Sequence, residues 1–169
     1  WVVECSSGKP LTISYQVYAH ANSVRTAWLD ADRGFFNPTS LCLQAMGRTR
    51  LPHAITVLSP DPAWRLATGL DPEQVDARGF GRYLAPDYDT LADSPFELGD
   101  FWEAGFELHG VPHRFVVATP PPGFDGARLL ADTQRICDTQ MRFWHGNKPK
   151  GKLPFSRYVF MLNAVDDSY

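Results

Sequence analysis

His109 and His113 stand four residues apart, the spacing at which two imidazoles on one helix face hold zinc in the HExxH proteases. Here Gly110, Val111 and Pro112 lie between them, where a helix cannot run, and no Glu follows His109 to act as general base. The pair reads instead as part of a hairpin turn. His20, His53 and His145 are isolated from carboxylates and thiols in the sequence, and His145 falls where a cation complements the end of a helix dipole. Cys5, Cys42 and Cys137 form no CxxC pair, so neither a structural zinc nor a redox couple is implied. They read as buried free thiols, which favours a reducing, cytoplasmic compartment.

Other chemistries fare no better. Ser6-Ser7-Gly8 has the context of an ordinary turn and there is no GxSxG elbow. Gly79-Phe80-Gly81 lacks the third glycine of a phosphate loop. Asp87, Asp89, Asp93, Glu97 and Asp100 do not follow the calcium-loop spacing, so they are expected to be solvated turn carboxylates. Five Trp, six Tyr and eleven Phe leave open a stacking surface for peptide or sugar beside the commoner use in a core.

The elements that would position these residues are mostly strands. Residues 11–19 alternate Ile13, Tyr15, Val17 and Ala19 with Thr12, Ser14, Gln16 and Tyr18, the period-two pattern of a half-buried strand. Similar runs at 23–29, 40–45, 54–58 and 65–70 are separated by Asn37-Pro38, Leu51-Pro52, Ser59-Pro60 and Asp61-Pro62. This spacing predicts an antiparallel, β-sandwich-like domain over residues 1–95. Between 71 and 95 the pattern loosens, with Asp71-Pro72-Glu73 able to open one helical turn. A second block over 96–169 holds a hairpin of strands 100–108 and 114–119 joined by a loop of five residues. One long helix follows over 126–145, with Asp125 as N-cap, Gly146 past its end and a stripe of Leu129, Leu130, Thr133, Ile136, Cys137, Gln140, Met141 and Trp144 expected on one buried face. After the loop 147–154, a strand over 157–164 carries Tyr158-Val159-Phe160-Met161-Leu162, the run of a central strand buried on both faces.

The bulk properties bound what such a chain does. Its 169 residues are 44% apolar, enough for one medium domain or a domain and the opening of a second. A formal charge of -3 without runs of like charge excludes a nucleic-acid binder and a polybasic membrane binder. No stretch approaches the roughly 18 to 20 apolar residues of a membrane span, and no signal peptide opens the chain, which is expected to start inside a folded domain.

Three strings point further. They are Ser23-Val24-Arg25-Thr26-Ala27-Trp28-Leu29-Asp30 with Gly34-Phe35-Phe36-Asn37-Pro38-Thr39-Ser40, then Ser94-Pro95-Phe96-Glu97-Leu98-Gly99-Asp100-Phe101, then Gly110-Val111-Pro112-His113-Arg114. In this order they resemble the amino-terminal half of the glycyl aminopeptidases, family 61 of the metallopeptidases. The closing strings Arg157-Tyr158-Val159-Phe160 and Asp166-Asp167-Ser168-Tyr169 extend the likeness. The resemblance implies an amino-terminal β domain, a thermolysin-like catalytic domain and a carboxy-terminal PDZ domain that together remove amino-terminal residues, Gly and Ala preferred. By it, this mainly β, α+β chain is the non-catalytic front of such an enzyme, with 96–169 beginning the catalytic domain. No catalytic position or metal ligand is carried over, because HExxH is absent from these residues. Zinc is expected in the intact parent, and the implied partners are the remainder of the catalytic domain and a peptide substrate. Glu97, at the junction of the two blocks, is expected to face the cleft and hold a positively charged substrate terminus; a turn carboxylate bonded to backbone N–H groups is the alternative. A free-standing β-rich module binding peptide or carbohydrate is the competing reading of the whole chain. An exposed apolar face would favour the first and a closed polar surface with an aromatic groove the second.

Overall fold

The structure is a computed structural model and describes residues 2–4, 8–146, 153 and 155–165. Among the described residues ten strands and two α-helices follow one another, and the strands form three sheets. Strands β1 (Ala27–Leu29), β2 (Arg33–Phe36), β4 (Arg65–Thr68) and β7 (Phe96–Gly99) make an antiparallel sheet in the order β1-β2-β7-β4. A second antiparallel sheet joins β3 (His53–Val57), β6 (Gly81–Ala85) and β5 (Asp71–Val75) in the order β3-β6-β5. The short helix α1 (Tyr88–Ala92) connects β6 to β7. In the third sheet, β8 (Trp102–Leu108) pairs antiparallel with β9 (Val111–Ala118), and β10 (Tyr158–Asn163) lies parallel to β9. Two parallel strands need a crossover, and the helix α2 (Gly126–His145) supplies it.

The first sheet is the middle layer. Phe36 stacks on Phe96 at 4.7 Å, and Leu66, Phe96 and Leu98 pack with Phe80, Tyr83 and Ala85 of the second-sheet side. The opposite face of the same strands carries Phe35, Glu97 and Ala67 side by side, and Ala67 packs with Phe101, Val116, Val159 and Met161 toward the third sheet. A strand enclosed on both faces loses the alternation of a half-buried one, and every residue of β7 is buried. Two side chains tie β10 to the front of the chain from its ends. Arg157 reaches Asp71 at 2.6 Å, and Asn163 donates to Asn22 at 3.1 Å.

The β-rich α+β architecture expected from the sequence is therefore present, with local differences. Residues 11–19 form no strand, and their backbone meets β1 only at the end, where the Ala19 carbonyl accepts from the Leu29 N–H beside the His20–Trp28 bridge. An alternating pattern describes a strand's faces and does not supply its hydrogen-bond partner. Residues 40–45 are not a strand, because Asn37 accepts from the Thr39 N–H and starts a 3-10 turn over Pro38–Ser40. The helical turn expected at Asp71-Pro72-Glu73 is instead the start of the exposed strand β5, with Pro72 at a register shift where its missing N–H is harmless. Strand β6 and helix α1 fall in the segment 71–95 whose pattern loosens, and β7 begins just after it.

The hairpin turn holds two residues rather than five. His109 has φ 52° and Gly110 φ 77°, the left-handed pair of a type I′ turn, so β9 begins at Val111 and His113 is buried in it. Helix α2 has the expected bounds, with Asp125 accepting from the Arg128 N–H at 2.9 Å. Its stripe is not buried as expected: Leu129, Leu130, Thr133, Cys137 and Met141 are half-buried, while Ile136 and Trp144 are exposed. Strand β10 is the edge of its sheet among the described residues and only half-buried, not central. Among the described residues no helix is long and apolar enough to cross a membrane. Cys5, Ser6-Ser7, the closing Asp166-Asp167-Ser168-Tyr169 and most of the 147–154 loop lie outside the described residues.

Candidate binding site

Arg33 and Glu97 are charged residues inside apolar strands, and the register places them together. Phe35 stands opposite Glu97 across the β2–β7 pair, so Arg33, two residues along β2, sits on the same face in the diagonal position. The guanidinium grips the carboxylate with two bonds, Nε to Oε1 at 2.7 Å and Nη2 to Oε2 at 2.9 Å. Both side chains are buried, with Glu97 at 2% and Arg33 at 8% exposure. Burial pushes the Glu97 carboxyl above its ordinary range, and the Arg33 bonds and charge pull against that rise. A buried charge persists only with such a partner.

The pair forms the floor of a cavity of about 540 Å³ between the 22–25 segment and β10. Phe35, Met161, Leu162 and Val165 give it an apolar lining, and Asn22 and Asn163 add amides. Arg33 Nη1 donates to Asn22 Oδ1 at 3.2 Å. Glu97 thus occupies a strand, not a turn, and is held by a guanidinium rather than by backbone N–H groups. Each of its oxygens takes one Arg33 bond and keeps further acceptor capacity, the requirement for receiving a cationic or N–H-bearing ligand group.

The remaining candidates are dispersed. His109 lies in the β8–β9 turn with Nε2 3.2 Å from Asp138 of α2, and His113 stacks on Phe106 at 4.9 Å with Nδ1 2.9 Å from the Val111 carbonyl. Asp87 caps α1 by accepting from the Thr90 N–H at 2.7 Å, and this bond holds its carboxyl below the usual range. Asp100 lies 3.7 Å from Arg65 at the surface. Cys42 and Cys137 are half-buried, which pushes both thiols up. Among the described residues no group of three His, Cys, Asp or Glu side chains is placed to hold a metal ion. Sequence reasoning reached Glu97 but missed Arg33, Asn22 and Asn163. The available signal was one charge in each of two apolar runs, Arg33-Gly34-Phe35-Phe36 and Phe96-Glu97-Leu98.

The fold and site thus define a β-rich layered chain in which, among the described residues, a buried Arg33–Glu97 ion pair lines a cavity beside β10. Comparison with known proteins decides the family. The Peptidase M61 N-terminal domain matches residues 1–100. The crystal structure of an aminopeptidase N family protein from Idiomarina loihiensis is similar, with TM-score 0.81 and 36% identity over 90% of this chain. This chain covers 25% of that protein, about a quarter of its length. Comparison with curated proteins gives no match. The chain belongs to the peptidase M61 family, and its first hundred residues are the N-terminal domain of that family.

Proposed function

We propose that the chain is the non-catalytic front part of a zinc-dependent aminopeptidase that removes amino-terminal residues from peptides, Gly and Ala preferred. The observation that carries this reading is the colinear likeness, at 36% identity, to a quarter of an aminopeptidase N family protein. The third sheet and α2 are then the opening of the catalytic domain. The exposed Ile136, Phe143 and Trp144 of α2 and the open edge of β10 are surfaces that the rest of such a domain would cover. Zinc would be held by segments outside this chain. Glu97 would face the bound peptide's ammonium group across the cavity while Arg33 keeps the carboxylate ionised.

The test compares this chain with a polypeptide extended to the length of the structural relative, using glycine and alanine 4-nitroanilides. Zinc-dependent hydrolysis by the longer protein alone is the expected result. If the longer protein with zinc leaves both substrates intact, the aminopeptidase reading is wrong. Metal-free binding of peptide or sugar by the short chain would then favour an independent binding module.

A further inference from the structure

The hydrogen-bond donors and acceptors around the cavity allow one orientation. A guanidinium only donates, so the atom of Asn22 facing Arg33 must be its oxygen. That same oxygen lies 3.1 Å from Asn163, which must therefore present its NH2 group. The oxygen of Asn163 is left to accept from the Thr119 hydroxyl at 3.3 Å. Glu97, Arg33, Asn22, Asn163 and Thr119 thus form one chain of bonds, from the buried strand β7 across the first sheet to the ends of β10 and β9. Thr119 closes it with φ 48°, a left-handed conformation that a β-branched residue keeps only where its surroundings impose it.

We propose that Asn22 is a positioning residue: its shared oxygen couples the Arg33–Glu97 pair to the end of β10 and so fixes the direction in which the carboxylate meets a ligand in the cavity. This rests on the reading of Glu97 as the recognition carboxylate. A pair free of Asn22 would keep its two mutual bonds but could rotate as a unit, whereas the third guanidinium bond anchors it to a different element. The charged groups facing the carboxylate are few. Arg33 comes from β2 and Arg25 from the 22–25 segment, while the lining residues of β10 and just after it, Met161, Leu162, Asn163 and Val165, carry no charge.

The test is carbon NMR of the glutamate carboxyls in the 169-residue chain, with the Glu97 titration followed in the wild type, Asn22→Ala, Asn163→Ala and the double variant. Both single changes are expected to move the Glu97 midpoint upward, because a loosened guanidinium opposes burial less well. The double change should exceed neither single by much, since both cut one relay. Thr119→Gly removes the outer hydroxyl while relieving the backbone, and should give a smaller rise even if Asn22→Ala fails to fold. An unmoved midpoint in correctly folded Asn163→Ala and Thr119→Gly, or fully additive shifts, overturns the proposal. Glycinamide added to the wild type reads the other assumption separately. If it leaves the Glu97 signal in place while the relay shifts hold, the recognition role fails and the coupling by Asn22 stands.

Discussion

Arg33 and Glu97 stand 64 positions apart and meet only because β2 and β7 pair in one register. Their energetics follow from enclosure. Both charges are largely desolvated, so removing one leaves the other buried without its partner, at a cost of about 3–5 kcal/mol. Arg33→Met should show that loss in chemical denaturation at neutral pH. Its pH dependence has a definite sign. Without Arg33 the folded-state Glu97 carboxyl rises further above its unfolded value, so stability is retained below the unfolded value and lost as pH climbs through the folded one. The variant should therefore approach the wild type in acid and fall away from it toward neutral pH. Arg33→Met combined with Glu97→Leu removes both charges and should recover most of the loss. The sequence made Glu97 visible through its family-like string. A lone charge in an apolar run marks Arg33 as well, but nothing local pairs the two, because a contact across two strands leaves no periodic trace in either.

At the scale of elements, what the sequence reveals depends on where the stabilising contacts come from. Helix α2 has both its signals nearby, Asp125 capping one end and Gly146 closing the other with φ 75°, so its bounds are readable. The hairpin itself is legible, but its two-residue turn reads as five because His takes the position where Asn or Asp commonly supplies the positive φ. Strand β7 was hidden because its burial comes from layers on both sides. Docking of α2 adds a constraint that propensity alone misses. A methyl placed on Gly126 would overlap Cζ2 of Trp102 on β8, a ring also in edge contact with Phe124 at 5.1 Å. Ala is the better helix former by up to about 1 kcal/mol. Gly126→Ala should nevertheless destabilise the protein, since the Trp102 ring or the helix must shift. In a Trp102→Leu background the same change should be neutral or stabilising, and a denaturation cycle over the four proteins measures that reversal.

For the whole molecule, the seam between the first and third sheets decides whether the chain unfolds as one body. Phe101 is 3% exposed at that seam, clustered with Ala67 and Val116, with the Arg65 guanidinium 4.4 Å from its ring centre. Arg65 also donates to the Phe101 carbonyl, and Arg157 with Asp71 of β5 ties the start of β10 to the second sheet. Apolar contact and polar ties thus cross together, so loss of the first sheet exposes Val116, Val159 and Met161 of the third. Such coupling predicts a single transition in which Trp64 fluorescence, isolated by replacing the other four Trp with Phe so that it reports the front, and helix ellipticity, reporting mainly α2, change at one denaturant concentration. Phe101→Ala removes the ring that fills the seam, which costs about 3–5 kcal/mol for a buried Phe. The cost should fall unequally. The third sheet keeps little enclosure of its own, because β10 is an edge strand and no residue of α2 is fully buried. In Phe101→Ala the ellipticity midpoint should therefore move to lower denaturant than the fluorescence midpoint. Two midpoints that shift together would mean that the polar ties alone keep the sheets cooperative.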